Sequence, residues 1–240
     1  AKWGNPLNPA LWYTVWPPTV GRQTYHPTRV VLPPGVSLHR FLWSSSRLDF
    51  ESTQGGSTVG QWTFAPSDPL ARIPQRAMPV SMNLWLYGGV APSDGKNVEV
   101  VIRDFRFRSP DGSGGDGGGG TGGSARDTLA VGTKEDTINW AGYRWRIVNA
   151  RSAPGPTNFN SRNVWVDQNG HLRMRLSRIN GTWYGSYVQM VGNSLGFGSY
   201  EWEVEGNLGT LDHNIVLGLF NYAGPSGSNE IDIEFAKWGN

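Results

Sequence analysis

The chain has 240 residues without a cysteine, which excludes a disulfide framework, a thiol nucleophile and a Cys-ligated zinc or iron site. Lys and Arg number 21 against 19 Asp and Glu, and a net charge of +2 is too small to make nucleic acid the expected partner. No apolar run of about 18 residues is present to span a membrane, and Ala1 opens on polar residues rather than a charged start and apolar signal core, so one soluble domain of the ~200 to 250-residue class is expected.

In chain order, period-2 alternation bounded by Gly, Pro, Asn and Ser predicts strands over 12–16, 38–43, 47–51, 82–86, 98–108, 163–166, 171–176, 200–205, 215–222 and 230–235. Nowhere do apolar residues repeat with helical spacing over a dozen positions. The expected fold is therefore all-β, a jelly-roll sandwich of two antiparallel sheets. Residues 112–123, GSGGDGGGGTGG, carry nine glycines in twelve positions and cannot bury apolar surface, so they read as a flexible linker. The chain also opens and closes with the same pentapeptide, AKWGN, at Ala1–Asn5 and Ala236–Asn240. Either it is one unit of a tandem array or it is a circular permutant with a short overlap.

The chemistry concentrates in Asn229 to Phe235, NEIDIEF. Alternation puts Glu230, Asp232 and Glu234 on one face, with Ile231, Ile233 and Phe235 in the core behind them. Three crowded acids resist simultaneous ionisation, and glycoside hydrolysis needs one protonated and one ionised carboxyl group. On a straight strand the Cα atoms of Glu230 and Glu234 lie about 13 Å apart, so a retaining mechanism requires a curved strand on a concave sheet, with side chains leaning together. Spacing does not choose this strand alone: Glu201, Glu203 and Glu205 alternate in the same way. The 12 Trp, 8 Tyr and 9 Phe exceed what a core of this size usually needs, and flat aromatic side chains commonly line carbohydrate clefts.

The sequence EIDIEF resembles the signature of glycoside hydrolase family 16, in its licheninase-like form without a bulge residue. Leu219 to Pro225 (LFNYAGP), Met82 to Trp85 (MNLW) and Asn163 to Leu172 (NVWVDQNGHL) are similar to further strands of that family, and together they cover most of the chain outside the linker. Their order is rotated: placing residues 125–240 before residues 6–110 restores the family order. The resemblance therefore implies a circularly permuted single catalytic domain over 1–240, with 1–110 as the native C-terminal half, 111–124 as the linker and 125–240 as the native N-terminal half.

The resemblance also implies roles. Glu230 would be the nucleophile, Glu234 the general acid and later base, and Asp232 the residue that tunes the pair. Phe220, Tyr222, Asn83, Trp85, Trp12 and Trp16 would face sugar in a concave cleft. No cofactor takes part in catalysis, but a structural calcium held by Asp104 and by carbonyls of Gly170 and near Trp140 is implied; Asp104 otherwise reads as a strand acid paired with Arg106. Two departures bear on substrate identity: Ser228 stands where a cleft Trp usually does, and Thr182 to Gln189 (TWYGSYVQ) lacks the branch's Glu-Asn-Arg group. The four His share no metal-binding spacing, and no Gly-x-Ser-x-Gly elbow appears.

The reading is a secreted, retaining endo-β-glucan hydrolase acting on β-1,3/1,4-linked polysaccharide, with no nucleic-acid or membrane partner, as a monomer or an end-swapped dimer. Its rivals are a non-catalytic glycan-binding sandwich and a transglycosylase.

Overall fold

The structure is a computed structural model describing residues 10–30, 32–111 and 136–239. The linker of the sequence reading and the Ala1–Asn5 copy of the pentapeptide lie outside the described residues. Before the gap come β1 (Leu11–Trp16), β2 (Thr24–Thr28), β3 (Gly35–Trp43), β4 (Leu48–Gln54), β5 (Ser57–Phe64), β6 (Val80–Leu86) and β7 (Val98–Arg108), with one helical turn, α1 (Pro69–Arg72), between β5 and β6. After it come β8 (Asp136–Trp140), β9 (Tyr143–Ile147), β10 (Arg151–Ser152), β11 (Thr157–Asn158), β12 (Val164–Val166), β13 (Leu172–Ile179), β14 (Thr182–Tyr184), β15 (Ser186–Met190), β16 (Gly198–Gly206), β17 (Ile215–Tyr222) and β18 (Glu230–Ala236).

The strands form two eight-stranded antiparallel sheets, an all-β sandwich. The first runs β2-β1-β18-β17-β6-β15-β9-β8; the second runs β12-β13-β7-β16-β3-β4-β5, with β14 added beside β13, while β10 and β11 form a small ribbon. Alternation places Leu11, Tyr13 and Val15 of β1, Ile231, Ile233 and Phe235 of β18, and Met82 and Leu84 of β6 on the inner face, all essentially inaccessible. They meet the buried aromatics of the second sheet. Tyr13 stacks on Phe50 at 5.0 Å, and the His39 ring meets Phe235 edge-on at 4.8 Å.

His39 is fully buried, with its ring nitrogens 2.7 Å from Ser37 Oγ and 2.8 Å from Ser52 Oγ, and Tyr13 donates its hydroxyl proton to Ser52 at 2.9 Å. Burial pushes the His39 imidazole down to about 3, so this core histidine is neutral, and two serines satisfy it.

Several strands escape a reading based on alternation. β2 contains Pro27 and is an edge strand, where a missing backbone donor is tolerated. β5 is mostly polar, and its position follows from the Gly55-Gly56 turn, where φ values of +58° and +79° supply the left-handed residues a tight hairpin needs. The segment expected over 163–166 begins as a strand only at Val164, because Asn163 closes a 3₁₀ turn.

Each sheet takes neighbouring strands from both sides of 112–135: β1 pairs with β18, β6 with β17, and β16 lies between β3 and β7. Neither side alone can complete a sheet, and open edges are unfavourable. Calorimetry should therefore show one unfolding transition. Two separable transitions would mean that the sheets come apart as independent units.

Candidate active site

β18 sits between β1 and β17, and its register sets three rows across the outer face of the first sheet. Trp16, Glu230 and Tyr222 form one row; Thr14, Asp232 and Phe220 the next; Trp12, Glu234 and Gly218 the third. β6 continues the third row with Asn83 opposite Gly218, and β15 adds Tyr187 opposite Asn83. Gly218 is required here, since a Cβ at that position would lie 2.7 Å from Asn83 Oδ1. The three acids line a pocket of about 390 Å³, walled by Trp12, Thr14 and Trp16 of β1, by Gln23 and Tyr25, and by Tyr87 and Trp238.

Asp232 is 5% exposed, while Glu230 and Glu234 are half-buried and reach the pocket. Burial pushes Glu230 up to about 7, and a hydrogen bond with Asp232 acts in the opposite direction. Burial, and then the charge of Glu230, pushes Glu234 up to about 8. Asp232 is held well above the ordinary carboxylate range, first by burial, then by the charges of Glu230 and Glu234 and by its hydrogen bond to Glu230. That bond favours the ionised form of Glu230 and the neutral form of Asp232, which is the pattern of a protonated Asp232 donating to a Glu230 carboxylate. Glu234 is then the second proton carrier. At neutral pH the row can hold one nucleophilic carboxylate beside one carboxylic acid.

The other acid strand differs in what surrounds it. On β16, Glu201 pairs with Arg106 at 3.4 Å, Glu203 with Arg103 at 3.4 Å and Glu205 with Arg103 at 3.9 Å. Among the described residues no Lys or Arg forms an ion pair with Glu230, Asp232 or Glu234. A larger hollow of about 680 Å³ lies on the second sheet, but its charges are spent on one another, as in the pair of Arg40 and Glu51 at 2.5 Å.

The aromatic residues singled out in the sequence divide. Trp12 and Trp16 line the pocket. Trp85 shares the outer face of β6 with Asn83, but it is 7% exposed, packs with Trp12, Phe159 and Val216, and is not part of the pocket lining. Phe220 is also 7% exposed, in the acid row, with its ring 6.2 Å from Tyr187. Tyr222 is half-buried beside Glu230, and its hydroxyl donates to the Gly224 carbonyl. Asn83 is buried in the Glu234 row, and its amide oxygen has no partner among the described residues. Ser228 is buried and bonded to the Pro225 carbonyl, outside the pocket lining.

Thr14, Gln23, Tyr25, Tyr87 and Trp238 join the site without being singled out in the sequence as site residues. Thr14 shares a face with Trp12 and Trp16, so alternation already carries its signal. Tyr25 arrives through the pairing of β2 with β1, and Tyr87 and Trp238 through the loops that follow β6 and β18.

The residues weighed for calcium do not fit it as placed. The carboxylate of Asp104 is engaged by Arg106 at 2.6 Å and by the Phe105 N–H. The Gly170 carbonyl accepts from Trp140 Nε1, and the Trp140 carbonyl accepts from Trp145 Nε1. These groups offer four protein oxygens, each already engaged, against the six to eight that calcium takes. No cluster of three or more His, Asp or Glu among the described residues is arranged for a metal.

The sequence matches no protein-family model and no curated protein.

Proposed function

We propose that this chain is a retaining endo-β-glucan hydrolase acting on β-1,3/1,4-linked polysaccharide. Its carrying observation is the row of Glu230, Asp232 and Glu234, half-buried to buried, free of cationic partners among the described residues and facing a pocket walled by tryptophans. A row of acids without countercharge costs stability, and a site that needs displaced proton affinities is a reason to retain it.

In the first step Glu230 attacks the anomeric carbon while Glu234 gives its proton to the departing glycosidic oxygen, forming a covalent glycosyl ester. Glu234, now ionised, takes a proton from water as that water attacks the same carbon and releases Glu230. Asp232 shares its proton with Glu230, which lowers the charge on the row between steps. Trp12 and Trp16 offer flat faces to sugar C–H groups. No cofactor enters this cycle.

The circularly permuted order and the jelly-roll arrangement belong to the same reading. They are supported by the antiparallel pairing of β1 with β18 and by the bond from Ala236 N–H to the Ala10 carbonyl at 2.9 Å, which bring the flanks of the two pentapeptide copies together. The same resemblance implies a secreted protein.

Incubation with mixed-linkage β-glucan should release new reducing ends, and proton NMR should show the β-anomer formed first. Binding without new reducing ends on any β-glucan would favour the glycan-binding sandwich instead. New glycosidic bonds formed in the presence of acceptor sugars would mark transglycosylation.

A further inference from the structure

We infer that Trp238 is a sugar-stacking residue of this pocket, on the Glu234 side; the inference rests on the hydrolase reading and names a residue that would set its substrate affinity. Trp238 follows Glu234 by four positions and lies beyond the end of β18, in the C-terminal copy of the pentapeptide.

Its backbone is the first observation. Trp238 has φ +56°, a left-handed conformation that bulky L-residues rarely adopt, and Gly239 follows at φ +87°. Such a conformation persists only where the surroundings fix it, and it concentrates at ligand sites. The surroundings here are explicit. Gly239 N–H donates to the His213 carbonyl at 2.7 Å, and the Lys237 ammonium donates to the Leu211 carbonyl at 3.0 Å. The chain is thereby clamped on both sides of the tryptophan to the loop before β17.

The second observation is where the clamp delivers the indole. The ring stands edge-on to Trp12 at 6.1 Å and to Tyr87 at 5.6 Å, half-buried, and lines the same pocket as the three acids. Trp12 is the residue directly opposite Glu234 across the strand pair. Trp12, Tyr87 and Trp238 therefore make a three-ring wall beside the proton donor. A core tryptophan needs no such wall and no left-handed backbone; a tryptophan that must present a flat apolar surface to a sugar next to Glu234 gains from both.

The pentapeptide AKWGN recurs at Ala1–Asn5, so the test is run in a Trp3→Ala background to remove the second copy of the indole. The probe is a β-1,3/1,4-linked hexasaccharide, titrated calorimetrically against the Glu230→Gln chain, with steady-state kinetics on the active chain. Adding Trp238→Ala should weaken binding and raise KM by about tenfold while kcat changes by less than about twofold. Trp238→Phe should restore most of the affinity.

If the Trp3→Ala parent binds and Trp238→Ala binds equally well, the inference is overturned and the hydrolase reading stands. A loss of affinity that Phe does not rescue, with a matching loss of Tm, would assign Trp238 a structural role and overturn it as well. If the parent neither binds nor cleaves any β-glucan, both readings fall together.

Discussion

Glu230→Gln should lower cleavage of β-glucan by on the order of 10⁴-fold or more while oligosaccharide binding persists. The amide keeps the volume of the side chain and its oxygen can still accept a hydrogen bond from Asp232, but it cannot attack the anomeric carbon. The tryptophan wall is untouched, so affinity measured by calorimetry should hold. Glu203→Gln on β16 is the control: its carboxylate is half-exposed and meets Arg103 at 3.4 Å, so removing its charge should cost less than about 1 kcal/mol and change the rate by less than about twofold. Equal loss of activity in the two variants would mean that cation pairing does not distinguish the working acids from the structural ones.

The second large effect is on stability. Glu234→Gln should raise Tm at pH 8 and leave it unchanged at pH 4. The folded protein holds the Glu234 proton to about pH 8, whereas the ordinary value is 4.5. Below 4.5 the group is neutral folded or unfolded, and nothing is lost. Between 4.5 and 8 the unfolded chain ionises while the folded one does not, so stability falls as pH rises, by up to about 1.4 kcal/mol per pH unit. The side chain is partly open to the pocket and solvent screening reduces the effect, which leaves a gain for glutamine of roughly 2 to 4 kcal/mol at pH 8, or about 5 to 10 °C. Differential scanning calorimetry at pH 4, 6 and 8 measures it. A gain equal at all three would mean that Glu234 titrates alike in the folded and unfolded chain. The same substitution should remove the proton donor, so the more stable variant is expected to be the inactive one.

The alternation in EIDIEF was sufficient to put three acids on one face, because a strand period of two leaves no other choice. It was not sufficient to prefer that face to EWEVE, whose pattern is the same. The difference lies in Arg103 and Arg106 on β7, which reach the second set and not the first, and that depends on which strands become neighbours. Strands such as β7 and β17 were legible to their ends because long runs rich in β-branched, aliphatic and aromatic residues persist in them. β2 and β5 were not, since each lies at a sheet edge where burial imposes little pattern. Phe220 shows the limit for single residues: alternation sets its row, and only packing against Tyr187 shows that it is nearly covered. Tyr25, Tyr87 and Trp238 come to the pocket by register and loop path, neither of which periodicity encodes.

The pairing of β1 with β18 also sets a timetable for synthesis. The Trp12 indole donates to the Ala236 carbonyl at 3.0 Å across 224 positions, so one wall of the pocket is translated long before the acids it faces. At a synthesis rate of roughly 5 to 20 residues per second, the edge of β1 that will receive β18 waits tens of seconds for its neighbour. Contacts this distant in sequence are paid for in chain entropy before they return anything, which slows folding and favours association of exposed edges at high concentration. A nascent chain halted before Glu230 would lack the strand between β1 and β17, and with it every carboxylate of the row. Until β18 is made, the Trp12 side of the pocket stands without the acids it will face.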